Sequence, residues 1–157
     1  NKAYTDAIFD ALTATPSTNP NDITDAGGTI TAQYNNSPSG EEIGKLIDNS
    51  TSTKYLTTNG SGWVQFHAGT AAVVKSYTIT SANDVPDRDP KNWTLQGSNN
   101  GSSWTTLDTR TNQSFATRFL KKTYTITNTT SYAYCLNVSA VQSGTIMQMS
   151  EWELLKN

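Results

Sequence analysis

The segment WTLQGSNNGSSW, residues 93–104, decides the fold class of this chain. A strand-like run begins at Trp93 and a second one begins at Trp104, with Asn99-Asn100-Gly101 between them. Asn and Gly tolerate the positive φ that tight hairpin turns require. The segment therefore predicts two antiparallel strands joined by a short turn.

Strand-like runs with the same character continue on both sides of this hairpin. Tyr77 and Ile79 alternate with Thr78, and Tyr124 and Ile126 alternate with Thr125, which is typical of strands with one buried face. The predicted strands are residues 29–34, 63–66, 73–81, 93–98, 104–108, 122–127, 132–138 and 147–154. Because no long helical pattern separates them, they predict an all-β fold, an antiparallel β-sandwich or jelly roll.

The first 21 residues differ from this pattern. Tyr4, Ile8 and Leu12 recur at helical spacing, and a linker-like stretch with Pro16 and Pro20 follows. We predict an N-terminal helix and linker over residues 1–21 and one module over residues 22–157. The helix could pack on this module or end an upstream domain. Because the chain has neither an initiator Met nor a signal peptide, we expect it to be a processed piece of a longer protein.

Charge and hydropathy exclude two classes of partner. The formal net charge is −2 and charged residues make up 15% of the chain. No basic stripe is present, so we expect no nucleic-acid partner. No apolar run approaches the ~18 residues that a membrane span requires, so we expect no membrane insertion.

Aromatic residues supply the predicted core, since hydrophobic residues make up only 34% of the chain. All four tryptophans, Trp63, Trp93, Trp104 and Trp152, lie in strand patterns and are predicted to be buried. Cys135 is the sole cysteine, which excludes an internal disulfide and predicts a buried structural thiol. His67, the sole histidine, is predicted to be an ordinary residue at a strand end.

Three segments together resemble a known superfamily. They are LIDNSTSTKY (residues 46–55), the hairpin at residues 93–104, and MSEWEL (residues 149–154). Their order and spacing resemble the discoidin-like, or coagulation factor 5/8 type C, superfamily with its galactose-binding-like sandwich. The sequence is most similar to the bacterial carbohydrate-binding modules of family 32, although Tyr55 stands where Trp is usual and His67 departs from the pattern.

This resemblance implies a secreted, extracellular, non-catalytic module that binds carbohydrate and targets an attached catalytic domain to polysaccharide or glycan. It also implies a structural calcium ion (Ca2+). The implied calcium ligands are the carbonyl groups of Lys45, Ser50 and Ser150, the carboxylates of Asp48 and Glu151, and Thr53. The alternative is an Asx turn at Asp48-Asn49, with a solvated Glu151.

The loop at residues 81–90 is the richest candidate for sugar binding. Asn83, Asp84 and Arg88 are polar loop residues of the kind that the resemblance places near the sugar. Alternatively, Arg88 forms a local ion pair with Asp87 and Asp89. Other loops could add a platform and hydrogen bonds through Tyr34, Asn36 and Asn59, or a patch of Phe115 with Arg118.

Two other function classes remain. An adhesion module that binds protein or phospholipid would expose apolar side chains beside basic ones, and no loop clearly combines them in the sequence. An enzyme would have to use His67 alone for nucleophilic catalysis, with no nucleophile elbow in the chain. Asp84, Asp87 and Asp89 could supply a carboxylate pair, but we expect acids this close in one turn to be solvated, and therefore no enzyme activity.

Overall fold

A computed structural model describes residues 18–157, so the helix predicted near the N-terminus lies outside the described residues. Ten strands form this part of the chain: β1 (Gly28–Ala32), β2 (Tyr55–Thr57), β3 (Gly62–Ala68), β4 (Ser76–Thr80), β5 (Pro90–Ser98), β6 (Thr105–Arg110), β7 (Lys121–Thr125), β8 (Ala133–Val141), β9 (Met147–Met149) and β10 (Glu151–Leu155). Three 3-10 turns accompany them, at Ile23–Asp25, Ile43–Ile47 and Pro86–Arg88. None of the helical turns in residues 18–157 is long and apolar enough to cross a membrane.

The strands form an antiparallel β-sandwich, which confirms the predicted fold class. One sheet has five strands in the order β1-β3-β8-β5-β6, and the facing sheet has three in the order β10-β4-β7. Strands β2 and β9 form a separate antiparallel pair. The hairpin predicted at residues 93–104 is the β5–β6 connection.

Two elements differ from the predicted strands. Residues 147–154 form two strands, β9 and β10, instead of one. The strand is interrupted at Ser150, whose hydroxyl donates to the Ser81 carbonyl at 3.0 Å. Strand β2 was not predicted, since its three residues are all buried and show no alternation.

A chain of polar aromatic contacts joins the two sheets through the core. Trp93 Nε1 in β5 donates to the Tyr77 hydroxyl in β4 at 2.8 Å, and that hydroxyl donates to Asp108 in β6 at 2.7 Å. Tyr124 in β7 stacks on Tyr77 and meets Trp93 edge to face, with ring centroids 5.1 and 5.4 Å apart. Burial raises the pKa of Tyr77 far above its ordinary value, so its hydroxyl remains a donor.

The tryptophans divide between the core and the outer surface. Trp93 and Trp152 are buried, as predicted, at 1% and 0% exposure. The prediction is wrong for Trp63 and Trp104, which are only half-buried. Trp63 alternates with the buried Val64 in β3, so its side chain faces outward. Trp104 precedes the edge strand β6, which has no buried residue.

Cys135 is buried, as predicted, and burial raises the pKa of its thiol to about 11. Because the thiolate is the reactive form, this cysteine is poorly suited to nucleophilic chemistry at neutral pH.

Three loops meet at one end of the sandwich, which we call the loop end: residues 81–89, 111–120 and 142–146. Ser81 N donates to the Leu120 carbonyl at 3.0 Å, and Ser143 N donates to the Asp87 carbonyl at 2.9 Å. The β5–β6 turn lies at the opposite end, where Tyr132 packs directly over Gly97. The segment before β1 joins the sandwich through Asp22, which is buried and accepts a hydrogen bond from Leu154 N at 3.1 Å.

Replacing Gly97 with Ala tests the packing at this opposite end. A Cβ atom at Gly97 would lie 2.5 Å from the Tyr132 ring, so we expect Gly97→Ala to lower the free energy of unfolding by about 1–3 kcal/mol in urea titrations. Gly44→Ala is the matched control, because a Cβ atom there meets nothing within 4 Å. Equal stability of the two variants would contradict this packing.

Candidate functional site

The loop end is held together by an ion pair between the buried Asp89 and the half-buried Arg118, which joins two of its loops. Arg118 donates from both terminal nitrogens to the Asp89 carboxylate, with Nη1 at 2.9 Å from Oδ1. Asp89 is only 1% exposed. Arg118 also donates to the Asp84 carbonyl at 3.3 Å. The prediction that Asp89 is solvated is therefore wrong, as is the local pairing of Asp89 with Arg88, because Arg118 occupies this carboxylate from another loop.

A second set of charged contacts anchors Asp84. Lys54, itself buried, places Nζ 2.9 Å from Asp84 Oδ1 and 3.0 Å from Gln148 Oε1. Gln148 Nε2 donates to the Asp84 carbonyl at 2.6 Å and to its Oδ1 at 3.1 Å. The hydrogen bond from Lys54 is the main cause that lowers the pKa of Asp84. Asp84 thus remains an exposed carboxylate, but its hydrogen bonds to Lys54 and Gln148 already hold the loop in place.

Asn83 and Arg88 remain available in the same loop. Asn83 is exposed and Arg88 is half-buried. No ion pair within residues 18–157 uses Arg88, although its charge contributes to the lowered pKa of Asp84 and so lies near that residue. Of the three residues predicted here, two can therefore offer hydrogen bonds to a ligand without breaking an existing ion pair.

Two exposed apolar side chains lie on the joined loops, and neither was predicted as a site residue. Val85 is 39% exposed and Phe119 is 49% exposed. Both have positive φ, 42° and 57°, which costs L-residues of this size on the order of 1–3 kcal/mol each. Phe119 N donates to the Ala82 carbonyl at 3.4 Å, so the two segments are adjacent. No sequence signal marks Phe119, since only the backbone conformation turns it outward.

The patch predicted from Phe115 and Arg118 is not formed as expected. Phe115 is 6% exposed and belongs to the core, and Arg118 is occupied by Asp89. The exposed aromatic side chain of this segment is Phe119 instead.

The predicted residues Tyr34, Asn36 and Asn59 lie beside β2 and β3. Asn36 Nδ2 donates to Asn59 Oδ1 at 2.6 Å, and Asn36 Oδ1 accepts from the Thr57 hydroxyl at 2.7 Å. Tyr34 is half-buried and its ring packs on Gly62. Asn36 and Asn59 thus bond to each other, and their role in sugar binding stays a prediction.

Four of the six predicted calcium residues, Asp48, Ser50, Thr53 and Glu151, are brought together by hydrogen bonds. Thr53 Oγ1 donates to Asp48 Oδ2 at 2.6 Å, while Ser50 N donates to Asp48 Oδ1 at 3.0 Å and to Glu151 Oε1 at 3.2 Å. The Asx turn of the alternative is present, because Asp48 Oδ1 accepts from the N–H group two residues on. Its second part is wrong, since Glu151 is only 4% exposed and not solvated. Burial, reinforced by the neighbouring Asp48, raises the pKa of Glu151 to about 10.

The half-buried Asp48 and the buried Glu151 together fit a hard cation, which would replace the proton on Glu151. Residues 18–157 contain no cluster of three or more His, Cys, Asp or Glu side chains that could hold a metal ion. A calcium ion here would therefore depend on neutral oxygens as well as on two carboxylates. Lys45 lies in the turn Ile43–Ile47, three residues before Asp48, and Ser150 directly precedes Glu151. Their carbonyl groups as ligands stay a prediction.

The chain belongs to the F5/8 type C domain family, whose model matches residues 29–137. Two solved structures are similar in fold to this chain. The family 32 carbohydrate-binding module from Streptococcus pneumoniae EndoD superposes with a TM-score of 0.73 at 14% identity, covering 87% of this chain and 99% of that one. The chitosan-binding module 1 of a chitosanase/glucanase from Paenibacillus sp. IK-5 gives 0.70 at 19% identity, covering 85% and 97%.

A curated relative is similar over a shorter stretch. It is a peptide-N(4)-(N-acetyl-beta-glucosaminyl)asparagine amidase from Arabidopsis thaliana, 55% identical over 53 residues. The match covers 33% of this chain and only 7% of the relative.

Removing one partner of the ion pair tests how the loop end is held. We expect Asp89→Asn to lower the free energy of unfolding by about 2 kcal/mol, because the buried side chain at this position loses its charge-assisted hydrogen bonds to the half-buried Arg118. Asp87→Asn is the control, since Asp87 is exposed and lies two residues away. Urea titrations of both variants measure the difference, and an Asp89→Asn variant as stable as the wild type would show that the pair does not brace the loops.

Proposed function

We propose that this chain is a non-catalytic carbohydrate-binding module and that the loop end contacts the sugar. The observation that carries the proposal is the exposed pair Val85 and Phe119, held at positive φ beside the available side chains of Arg88 and Asn83. Strained backbone is concentrated at ligand-binding and active sites, and here it turns two apolar side chains outward on adjacent loops. The similarity to solved carbohydrate-binding modules supports a sugar as the ligand.

In this proposal the two kinds of side chain have different tasks. The Phe119 ring offers an apolar face to the C–H groups of a pyranose ring. The planar guanidinium of Arg88 and the amide of Asn83 form directed hydrogen bonds to hydroxyl groups. Asp84 acts as a positioning residue, because its carboxylate already binds Lys54 and Gln148.

A glycan array with matched variants tests this proposal. We expect Arg88→Ala and Phe119→Ala each to weaken binding about tenfold or more. Arg88→Lys should recover little, because the ammonium group keeps the charge but loses the planar fork. Thr130→Ala, an exposed residue in the β7–β8 connection at the opposite end, is the control and should bind like the wild type. Wild-type binding by the Arg88 and Phe119 variants would refute the loop end as the site.

An adhesion module that binds phospholipid is the second candidate, and the structure favours it more than the sequence does. Contrary to the sequence-based prediction, Val85 and Phe119 are exposed on loops that also carry Arg88. Asp84 and Asp87 are exposed on the same loop, however, and would repel anionic headgroups. Co-sedimentation with phosphatidylserine vesicles, without binding to any glycan, would favour this candidate over sugar binding.

We propose further that a structural calcium ion bridges the loop at residues 48–53 and the start of β10. The neighbouring carboxyl groups of the half-buried Asp48 and the buried Glu151 support this ion. The carbonyl groups of Lys45, Ser50 and Ser150, together with Thr53, would complete its oxygen ligands. Lys54 follows this loop directly and binds Asp84. The calcium loop would thereby also help to fix the sugar-binding loop.

Calcium removal should destabilise the protein in a way that depends on Glu151. Without metal, the pKa of Glu151 is about 10 in the folded protein against an ordinary value of 4.5. The folded state then holds an additional proton between these values, so stability falls as pH rises through this window. At pH 8 we expect EDTA to lower the melting temperature by several degrees, and calcium to restore it.

Two carboxamide variants identify the responsible carboxylate. Glu151→Gln should melt at the same temperature with EDTA and with calcium. Glu153→Gln, on the same strand but bound to Lys121 and Thr78, should retain the calcium response of the wild type. A wild-type melting temperature unchanged by EDTA would exclude the calcium site.

The module is proposed to serve a larger secreted enzyme. The Paenibacillus structure derives from a chitosanase/glucanase, and the Arabidopsis relative is an amidase of which this chain spans a small part. Both support an attached catalytic domain in the parent chain, which would gain local concentration on its substrate from the module.

A further inference from the structure

A groove that is separate from the loop end opens on the outer face of the five-stranded sheet. It has a volume of about 370 Å³ and lies between strands β3, β5 and β8 and the β5–β6 turn. Its lining includes Gln65, His67, Ser98, Asn99, Trp104 and Ala133. This volume falls within the range of roughly 300–1,000 Å³ typical of small-ligand sites.

The pleat of the sheet explains why these side chains meet. In β3, Val64 and Phe66 are buried whereas Gln65 is half-buried and His67 is exposed, so the latter two face outward. The register aligns Gln65 with Cys135 and Cys135 with Gln96 across three strands. Trp104 stands at the end of the turn beside this row, with its indole half-buried.

A second hollow of about 270 Å³ adjoins the groove and extends it past the end of β3 and the start of β8. The two share His67, Asn99 and Ala133, and the second also reaches Tyr132. Together the two hollows form a continuous depression. Trp104 lines its first part and Tyr132 lines its second part.

The depression has no permanently charged side chain. Among the residues of the described chain that line its two parts, there is no Lys, Arg, Asp or Glu. Amide and hydroxyl side chains supply both donors and acceptors, and the half-exposed indole of Trp104 supplies an apolar surface with a polar edge. By contrast, the loop end carries Lys54, Asp84, Arg88 and Arg118. A charged ligand would find no counter-charge in the groove, whereas an uncharged polyhydroxylated ring matches its mixture of groups.

We propose that this groove is a second carbohydrate-binding site, one that takes a neutral sugar residue. Trp104 stacks on the pyranose ring, and Gln65, His67 and Asn99 bond to its hydroxyl groups. The proposal does not depend on sugar binding at the loop end, because it uses different residues at the other end of the sandwich.

Titrations followed by 1H–15N and aromatic NMR spectra test the groove directly. The probes are three neutral disaccharides, lactose, cellobiose and N,N′-diacetylchitobiose, with anionic digalacturonate for comparison. We expect at least one neutral disaccharide to shift the indole N–H signal of Trp104 and the ring signals of His67, the sole histidine. Digalacturonate should leave these signals unchanged.

Variants assign the shifts to the groove. Trp104→Ala should raise the Kd for the neutral disaccharide about tenfold or more, and His67→Ala, at an exposed position, serves as a second and milder variant. Thr109→Ala is the control, because Thr109 is an exposed residue of the same sheet, in β6, and lines neither hollow. It lies towards the loop-end side of β6 and should bind like the wild type.

Three results would overturn the proposal. The first is the absence of shifts at Trp104 and His67 with all three neutral disaccharides at 50 mM. The second is an unchanged Kd in both Trp104→Ala and His67→Ala. The third is a loss of all disaccharide binding in Arg88→Ala while Trp104→Ala binds normally, which would leave the loop end as the sole sugar site.

Discussion

The need to pair the polar ends of buried aromatic rings constrains the whole sandwich. With 34% hydrophobic residues, the chain fills its core with tryptophan and tyrosine, and each ring that enters the core brings an N–H or O–H group that loses water. The contacts from Trp93 to Tyr77 and from Tyr77 to Asp108 satisfy these groups across the two sheets. Because both hydrogen bonds are directional, they also fix the orientation of one sheet relative to the other. The loops at the ends of the sandwich are therefore attached to a rigid frame.

At the loop end, polar groups from separate segments are also paired, but here the partners are charged. Asp89 and Arg118 pair between two loops, and Lys54 and Asp84 pair between the 48–54 region and the first of these loops. Buried ion pairs contribute little net stability compared with an apolar core, but each is costly to break. They therefore suit a surface whose shape has to be kept before a ligand arrives, since preorganised loops lose less entropy on binding. Positive φ at Val85 and Phe119 is tolerated only because the loops are held on both sides.

The sequence predicts what depends on local pattern and misses what depends on distant partners. The alternation of apolar and polar residues identified most of the strands, and Asn99-Asn100-Gly101 identified the central hairpin. The same alternation fixes only that Trp63 and Val64 point to opposite faces, and it does not state which face is buried, so Trp63 and Trp104 were assigned to the core. Arg88 is the neighbour of Asp89 in the chain, but Arg118, 29 residues away, is its partner in space. Likewise, Glu151 lies 101 residues from Ser50, and only the family resemblance joined them in advance.

Two sugar sites of different chemistry on one rigid module would change how it holds a glycan. In that case the loop end would use the guanidinium of Arg88 to select the geometry of hydroxyl groups, whereas the groove beside Trp104 would accept the repeating units of a sugar chain with little selectivity. Weak single sites are sufficient when both can bind one polymer, because the second contact then forms at an effective concentration in the millimolar range. Since the sandwich fixes the separation of the two sites, only glycans long enough to span from the loop end to the β5–β6 turn would gain this avidity. Chain length, rather than the identity of one terminal sugar, would then become part of what the module recognises.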